Sequence, residues 1–414
     1  MVQYTVAVII IFSGGPMKKK LLLTVAALSF VSTVAKAELF SIEMLQGALH
    51  ETRQFDSIVD IFDHYKKGNL DAIFATYNKN AASFSKINFR GIPMELSFDN
   101  SAVLTFNAPT LGIAGLEFDG KRNSQEASFN LFRDYLKKNQ NDLMKKILKS
   151  GIEKTPYDAV AGNPNSMMAT MTDISYQRAG GGVLGNFVSY ISPDASRHHF
   201  KHNGESVTAT VYTLPLAKSF ELSGGSKIMF DMPISYTNID DSKAYSAQLG
   251  LAWAVPVVNN DKFRWIITPG VRSGVTGSKD MLSGGILYSG SLASHIEVPV
   301  NNWTFGMTNM IGYIKDVSLD VAGYEIDYEL HNTVFKNGIS ARYDFSDDWA
   351  LGTSYDYTFY EGSELFIDDY HDVNVSLIRK LDPKSFITGV ALVGNYSFDD
   401  DDYYAYRLGV SFLF

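Results

Sequence analysis

From Val183 onward the chain alternates. Apolar residues trade places with polar or small ones in runs of about ten to fourteen residues, parted by turn-like segments. Period-two alternation marks strands whose two faces meet different surroundings. About twelve runs follow one another: 183–192, 206–222, 227–236, 243–257, 263–272, 286–300, 303–314, 333–345, 349–360, 369–381, 386–398 and 403–414. The first is the least regular. The last is the sharpest: Tyr404, Tyr406, Leu408, Val410, Phe412 and Phe414 share one parity, and Ala405, Arg407, Gly409 and Ser411 the other. One face is aromatic and apolar, the opposite one small or polar.

Residues 38–155 follow a different rule. Phe55, Ile58, Val59, Ile61, Phe62 and Tyr65 recur at helical spacing, and Lys66-Lys67-Gly68 supplies a basic last turn and a glycine stop. The pattern predicts a second helix over 70–84, a hairpin of 94–98 with 102–107 around Asp99-Asn100, and a strand over 111–118. Asn123-Ser124-Gln125-Glu126 reads as a helix start, and apolar stripes continue to about Ser150. This is a small α+β domain. Residues 156–182 read as a linker, with a helix over 166–177 and a flexible boundary at Gly180-Gly181-Gly182.

At the start, Met17-Lys18-Lys19-Lys20, an apolar run over 21–34 and Ala35-Lys36-Ala37 have the n-region, core and cleavage site of a secretory signal peptide. The expected cut leaves Glu38 first, and residues 1–16 read as a mis-called start. A net charge of −9 disfavours a nucleic-acid partner. The absence of Cys removes disulfides and thiolate ligands. A mean hydropathy of −0.05 excludes a multi-helix membrane protein but not strands that turn one face to lipid. With 23 Tyr and 27 Phe the chain is aromatic enough for such strands.

The final strand, with Tyr406, Phe412 and a terminal Phe414, resembles the C-terminal strand of bacterial outer-membrane β-barrels. That resemblance implies a transmembrane antiparallel β-barrel of about 12 strands in a Gram-negative cell outer membrane. It implies contact with lipid and lipopolysaccharide, and an assembly signal at Tyr406, Phe412 and Phe414 read by the barrel-assembly machinery. A helical linker before twelve strands also resembles an autotransporter translocator. With Phe414 at the periplasmic end, the short turns fall on that side and the longer loops outside, as such barrels require. Trp265, Trp303 and Trp349 then form an inner girdle, and Tyr236, Tyr313 and Tyr360 an outer one. An even strand number puts both barrel ends in the periplasm, which predicts a periplasmic α+β domain, or one inside the lumen.

The inward parity carries Asp231, Arg264, Arg272, His295, Glu297, Arg342, Asp344, Asp356, Asp372, Lys380 and Arg407. All of these but His295 and Lys380 are the lumen-lining candidates, and neither sign dominates. His198, His199 and His202 fall in the expected first outer loop, and Asp399–Asp402 in the last. Neither has metal-ligand spacing on a helix or an EF-hand pattern, so no metal and no cofactor is expected. G-x-S-x-G, H-E-x-x-H and P-loop motifs are absent from the sequence, and no catalytic residue is assigned. The leading expectation is a non-enzymatic outer-membrane barrel with a polar lumen and a periplasmic N-terminal domain. The alternatives are a translocator exporting that domain, or a porin-like solute channel. The oligomeric state is left open.

Overall fold

The computed structural model describes residues 39–414, apart from 122–123, 139, 184–188, 203–204, 240, 282, 322–323 and 401–402. The signal peptide and the early start lie outside the described residues. Six antiparallel strands open the chain: β1 (Phe40–Gln46), β2 (Leu49–Phe55), β3 (Ser83–Phe89), β4 (Ile92–Phe98), β5 (Leu104–Ala108) and β6 (Ile113–Phe118), in sheet order β2-β1-β3-β4-β5-β6. Helices α1 (Ile58–Lys67), α2 (Gln125–Lys138) and α3 (Gln140–Lys154) accompany this sheet.

Helix α1 forms where the spacing predicts it. Ser57 accepts a hydrogen bond from the Val59 amide at 3.1 Å, and Gly68 closes the helix in the left-handed region at φ 61°. Such an N-cap contributes about 1 kcal/mol. The helix buries Ile58, Ile61 and Tyr65, and the Tyr65 ring stacks on Phe129 of α2 at 5.0 Å. The helix expected over 70–84 is replaced by a short turn at Leu70–Ala72 and by β3. Leu70, Phe74 and Tyr77 are buried at helix-like spacing, but from Ser83 alternate residues are buried, and strand pairing with β1 prevails.

After α4 (Met167–Arg178) come the barrel strands: β7 (Tyr190–Ile191), β8 (Asp194–His202), β9 (Glu205–Glu221), β10 (Lys227–Ile239), β11 (Ser242–Asn259), β12 (Arg264–Ser278), β13 (Ser283–Val300) and β14 (Trp303–Val317). A small hairpin, β15 (Leu319–Val321) with β16 (Tyr324–Ile326), sits in the next loop. Then follow β17 (His331–Asp344), β18 (Trp349–Gly362), β19 (Asp369–Lys380), β20 (Gly389–Phe398) and β21 (Tyr403–Leu413). β7 and β8 are one strand interrupted at Ser192-Pro193, and β21 pairs with both. Among the described residues, twelve antiparallel strands thus close into a barrel. The first strand is Tyr190–His202 rather than 183–192, so the histidines expected in a loop lie in β8. His198 is buried and His199, next along the strand, stacks on Tyr404 at 4.7 Å.

One wall face is apolar and exposed. Leu249, Leu251, Trp253, Val271, Leu292, Ile311 and Ile339 all point outward, as a lipid-facing belt must. Trp265, Trp303 and Trp349 stand at the rim that holds Phe414, and Tyr236 and Tyr313 toward the other. Tyr360 is a correction. It has even parity on β18, is 4 % exposed, and its hydroxyl donates to Thr172 on α4 at 3.1 Å. It belongs to the lumen, not to the girdle.

β11 and β13 have 18 residues each. At about 3.4 Å per residue and a tilt of about 40°, they stand about 45 Å tall, well above an apolar band of about 25 Å. The wall therefore projects beyond the membrane at the mouth opposite Phe414. There the inward face is apolar, not polar as expected: Phe200, Val207, Ile239, Leu287, Ile314 and Val334 are buried. They join the core of the α+β domain in one continuous cluster through Val160, Met167 and Met171. Phe129→Ala should cost the small domain about 3–5 kcal/mol. The expected reading is a lower urea midpoint for the helix signal, with the faster gel migration of the unboiled barrel retained.

Candidate functional site in the barrel lumen

Residues 156–169, the first half of the segment that the sequence reads as a linker, are buried throughout, as is Thr155 before them. They join the α+β domain to α4, which passes down inside the barrel. The three glycines after α4 are not a flexible hinge. Gly180 and Gly182 adopt φ 102° and 81°, and a Cβ on Gly180 would stand 2.7 Å from the His295 ring. Gly181 lies against the Tyr176 ring. Left-handed backbone and close approach require glycine here.

Helix α4 has polar and apolar residues on every side, because wall surrounds it. Asp173 accepts from Lys336 of β17 at 2.8 Å and lies 3.6 Å from Arg407 of β21. Lys336 also donates to Asp372 of β19 at 2.9 Å. Tyr176 donates to Asp356 of β18 at 2.8 Å, and Asn374 donates to the other oxygen of that carboxylate at 2.8 Å. Ser175 accepts from Arg272 of β12 at 3.0 Å, while Arg272 holds Asp231 of β10 with both terminal nitrogens. Arg178 donates to Ser219 of β9 at 2.8 Å. The helix is thus tied to most of the wall by charge-assisted bonds.

Five predicted lumen residues, Asp231, Arg272, Asp356, Asp372 and Arg407, converge on this network directly or through one partner. The other four remain at the Phe414 rim and pair among themselves: Arg264 with Glu297 at 3.5 Å, and Arg342 with Asp344 at 3.1 Å. Lys380 joins Asp344 at 3.0 Å. Sequence reasoning missed Lys336, Asp173, Tyr176 and Arg178. Lys336 shares the inward parity of Arg342 and Asp344 on β17, so the alternation already contained it. The signal for α4 was a helix without an apolar face.

A second node lies above α4. Asp158 is fully buried and pairs with the fully buried Arg90 at 2.8 Å. Ser283, at the start of β13, and Tyr328, in the loop before β17, donate to the same carboxylate at 3.1 and 3.3 Å. Further bonds surround it: Phe366 N to Ile152 O at 2.8 Å, Ile367 N to Gly162 O at 3.0 Å, and Ser242 Oγ to Asp56 O at 3.2 Å. At the periphery Lys145 of α3 reaches Asp327 at 2.7 Å and Glu329 at 3.1 Å. All these loops belong to the mouth opposite Phe414. The α+β domain therefore caps that mouth, instead of sitting at the rim where both barrel ends lie. The reason is the route of the chain, which crosses the lumen before the first strand begins.

His198 lies within hydrogen-bond distance of Ser196 and Tyr403, at 2.8 and 3.1 Å, as a packed wall residue. Among the described residues no group of three or more His, Cys, Asp or Glu side chains is placed to hold a metal ion, and no helix is long and apolar enough to cross a membrane, which says nothing of strands.

No family model matches the chain, and no curated protein matches it in sequence. Among solved structures, the translocator domain of the autotransporter NalP from Neisseria meningitidis is similar at 10% identity and TM-score 0.41, over 60% of this chain and 96% of that one. The transport unit of the autotransporter AIDA-I from Escherichia coli gives 9% and 0.40, over 60% and 97%. The KdgM porin in complex with disordered oligogalacturonate gives 12% and 0.34, over 54% and 99%. At such values the likeness does not reach beyond barrel architecture. The class follows from the molecule itself: a closed twelve-stranded barrel with a lipid-facing apolar belt between aromatic rows is an outer-membrane β-barrel.

Two outcomes are expected. Lys336→Met leaves Asp173 and Asp372 without their shared cation, a loss of about 3–5 kcal/mol for a buried pair. In planar bilayers it should open a barrel that is otherwise closed, whereas Arg342→Met at the rim should not. The Lys145 contact should be acid-sensitive. Burial pushes the Asp327 carboxyl up, but the hydrogen bond from Lys145 and that from the Glu329 amide outweigh it and hold the group below its ordinary range. A depressed carboxyl stabilises above its unfolded value and loses that contribution as pH falls through the folded one. Hydrogen exchange of α3 should therefore rise below about pH 4 in the wild type, and much less so in Asp327→Asn.

Proposed function

We propose that this protein is a self-plugged, non-enzymatic outer-membrane barrel that carries its own α+β domain to the outer mouth and keeps it docked there. The carrying observation is the Asp158 node. It binds the small domain, the connector, the start of β13 and the loop before β17 at the mouth opposite Phe414. With the terminal strand and the short turns on the periplasmic side, that mouth faces outward. A route through the lumen is what a translocator of autotransporter type would leave behind. This reading replaces the periplasmic placement expected from strand parity. Unlike a passenger built for release, the domain shares its core with the barrel, so it is a fixed display.

The porin-like reading is disfavoured by α4, whose side chains are bonded to the wall on several sides. A solute channel would require that helix to leave.

The test is surface access. An epitope inserted at the Gly47 turn should be stained on intact cells, and protease treatment of whole cells should remove it. Staining only after the outer membrane is permeabilised would sink the proposal. Arg90→Met should loosen the cap by about 3–5 kcal/mol, read as faster cleavage within residues 155–169 on whole cells.

A further inference from the structure

The lipid-facing side of the barrel carries a feature that display does not use. Between the girdles each outward side chain meets hydrocarbon, where an unpartnered polar group is costly. Three of the polar side chains there are satisfied within their own barrel. Ser273 donates to the Leu287 carbonyl at 3.2 Å, Ser294 accepts from the Trp265 indole at 3.0 Å, and Thr353 donates to the Asn374 carbonyl at 3.0 Å.

Asn309 and Asn337 break this rule. They are register partners across β14 and β17, and both are exposed. Neither carboxamide has a hydrogen-bond partner among the described residues. Asn309 stands between Trp303 and Tyr313 on β14, inside the apolar band rather than at its edge. Around the two amides lie Met307, Ile311, Phe335 and Ile339, and Ile339 is 61 % exposed.

Two carboxamides side by side offer both donors and acceptors, more than a mutual bond can use. Such a pair is self-complementary. Every copy of the chain enters the membrane in one orientation, so a two-fold axis along the membrane normal brings the same depth of two barrels together. An isologous contact then sets each amide pair against the same pair of its neighbour. We propose that the β14–β17 lipid face is a homodimer interface, occupied by a second copy of this chain and centred on Asn309 and Asn337. The apolar ring of Met307, Ile311, Phe335 and Ile339 packs around the amides and excludes lipid from them, and interfacial amides of this kind hold membrane segments together.

The chain has no Cys, so single cysteines report contacts without background. The experiment uses full-length protein in native outer membranes, oxidised with copper phenanthroline. Ile339→Cys should give a disulfide-linked species of doubled mass, and Leu214→Cys on β9, six strands around the barrel from β17, should stay monomeric. Adding Asn309→Leu and Asn337→Leu to the Ile339→Cys chain should cut the linked species at least tenfold, while the unboiled barrel still migrates faster than the boiled one. In mild detergent the wild type should sediment as a dimer and the double leucine variant as a monomer. The proposal is overturned by a monomeric wild type that does not cross-link at position 339, by linkage as strong at position 214, by linkage that survives both leucines, or by linkage to a different protein. Should the leucine variant fail to fold, the two single-cysteine results in the otherwise wild-type chain still decide.

Discussion

A sheet in hydrocarbon cannot leave an edge unpaired, and the rest of this structure depends on that constraint. No water is present to satisfy free amides and carbonyls, so β21 must meet β7 and β8. Closing an antiparallel sheet of twelve strands returns both of its ends to one rim. The Phe414 amide accordingly donates to the Ser189 carbonyl beside the first strand. A domain preceding such a barrel can reach the opposite mouth only through the lumen. The connector does so with α4, whose 12 residues span about 18 Å, together with the irregular segment above it.

Once a helix lies inside the barrel, its chemistry is dictated by the wall. The lower lumen carries charges of both signs, and each buried charge needs a partner. Asp173 sits between Lys336 and Arg407, and Tyr176 reaches Asp356. In the upper lumen the buried Asp158 is met by Arg90, Ser283 and Tyr328, and around it the projecting wall faces apolar side chains. The same strands therefore change character along their length: polar where they hold Asp173, Tyr176 and Arg178 of α4, largely apolar where they hold Val160 and the first turn of that helix.

This change explains what was legible in the sequence. Eleven of the twelve strand runs could be read because lipid and lumen impose opposite tastes on alternate residues. The terminal aromatic strand supplied the class. The first strand escaped because Pro193 interrupts it and because β8 carries His198, His199 and Lys201 on both of its faces. Tyr360 was misassigned because an aromatic residue near the outer end of a strand serves a girdle or an apolar lumen equally well, and only its parity separates the two. The placement of the small domain was not legible. Strand parity fixes where the barrel ends lie, but the route of the preceding segment is decided by tertiary contacts such as Arg90 with Asp158. Glycines 180–182 read as freedom, yet they serve close packing against Tyr176 and His295.

In the display role proposed above, the burial of residues 155–169 bears on how much of the domain a cell can present. With the connector enclosed between domain and wall, the folded protein offers no accessible chain there for a protease to sever. Under that proposed role, presentation is a matter of stoichiometry: one domain for each barrel, at a surface density set by barrel insertion, with turnover of the whole molecule as the means of removing it.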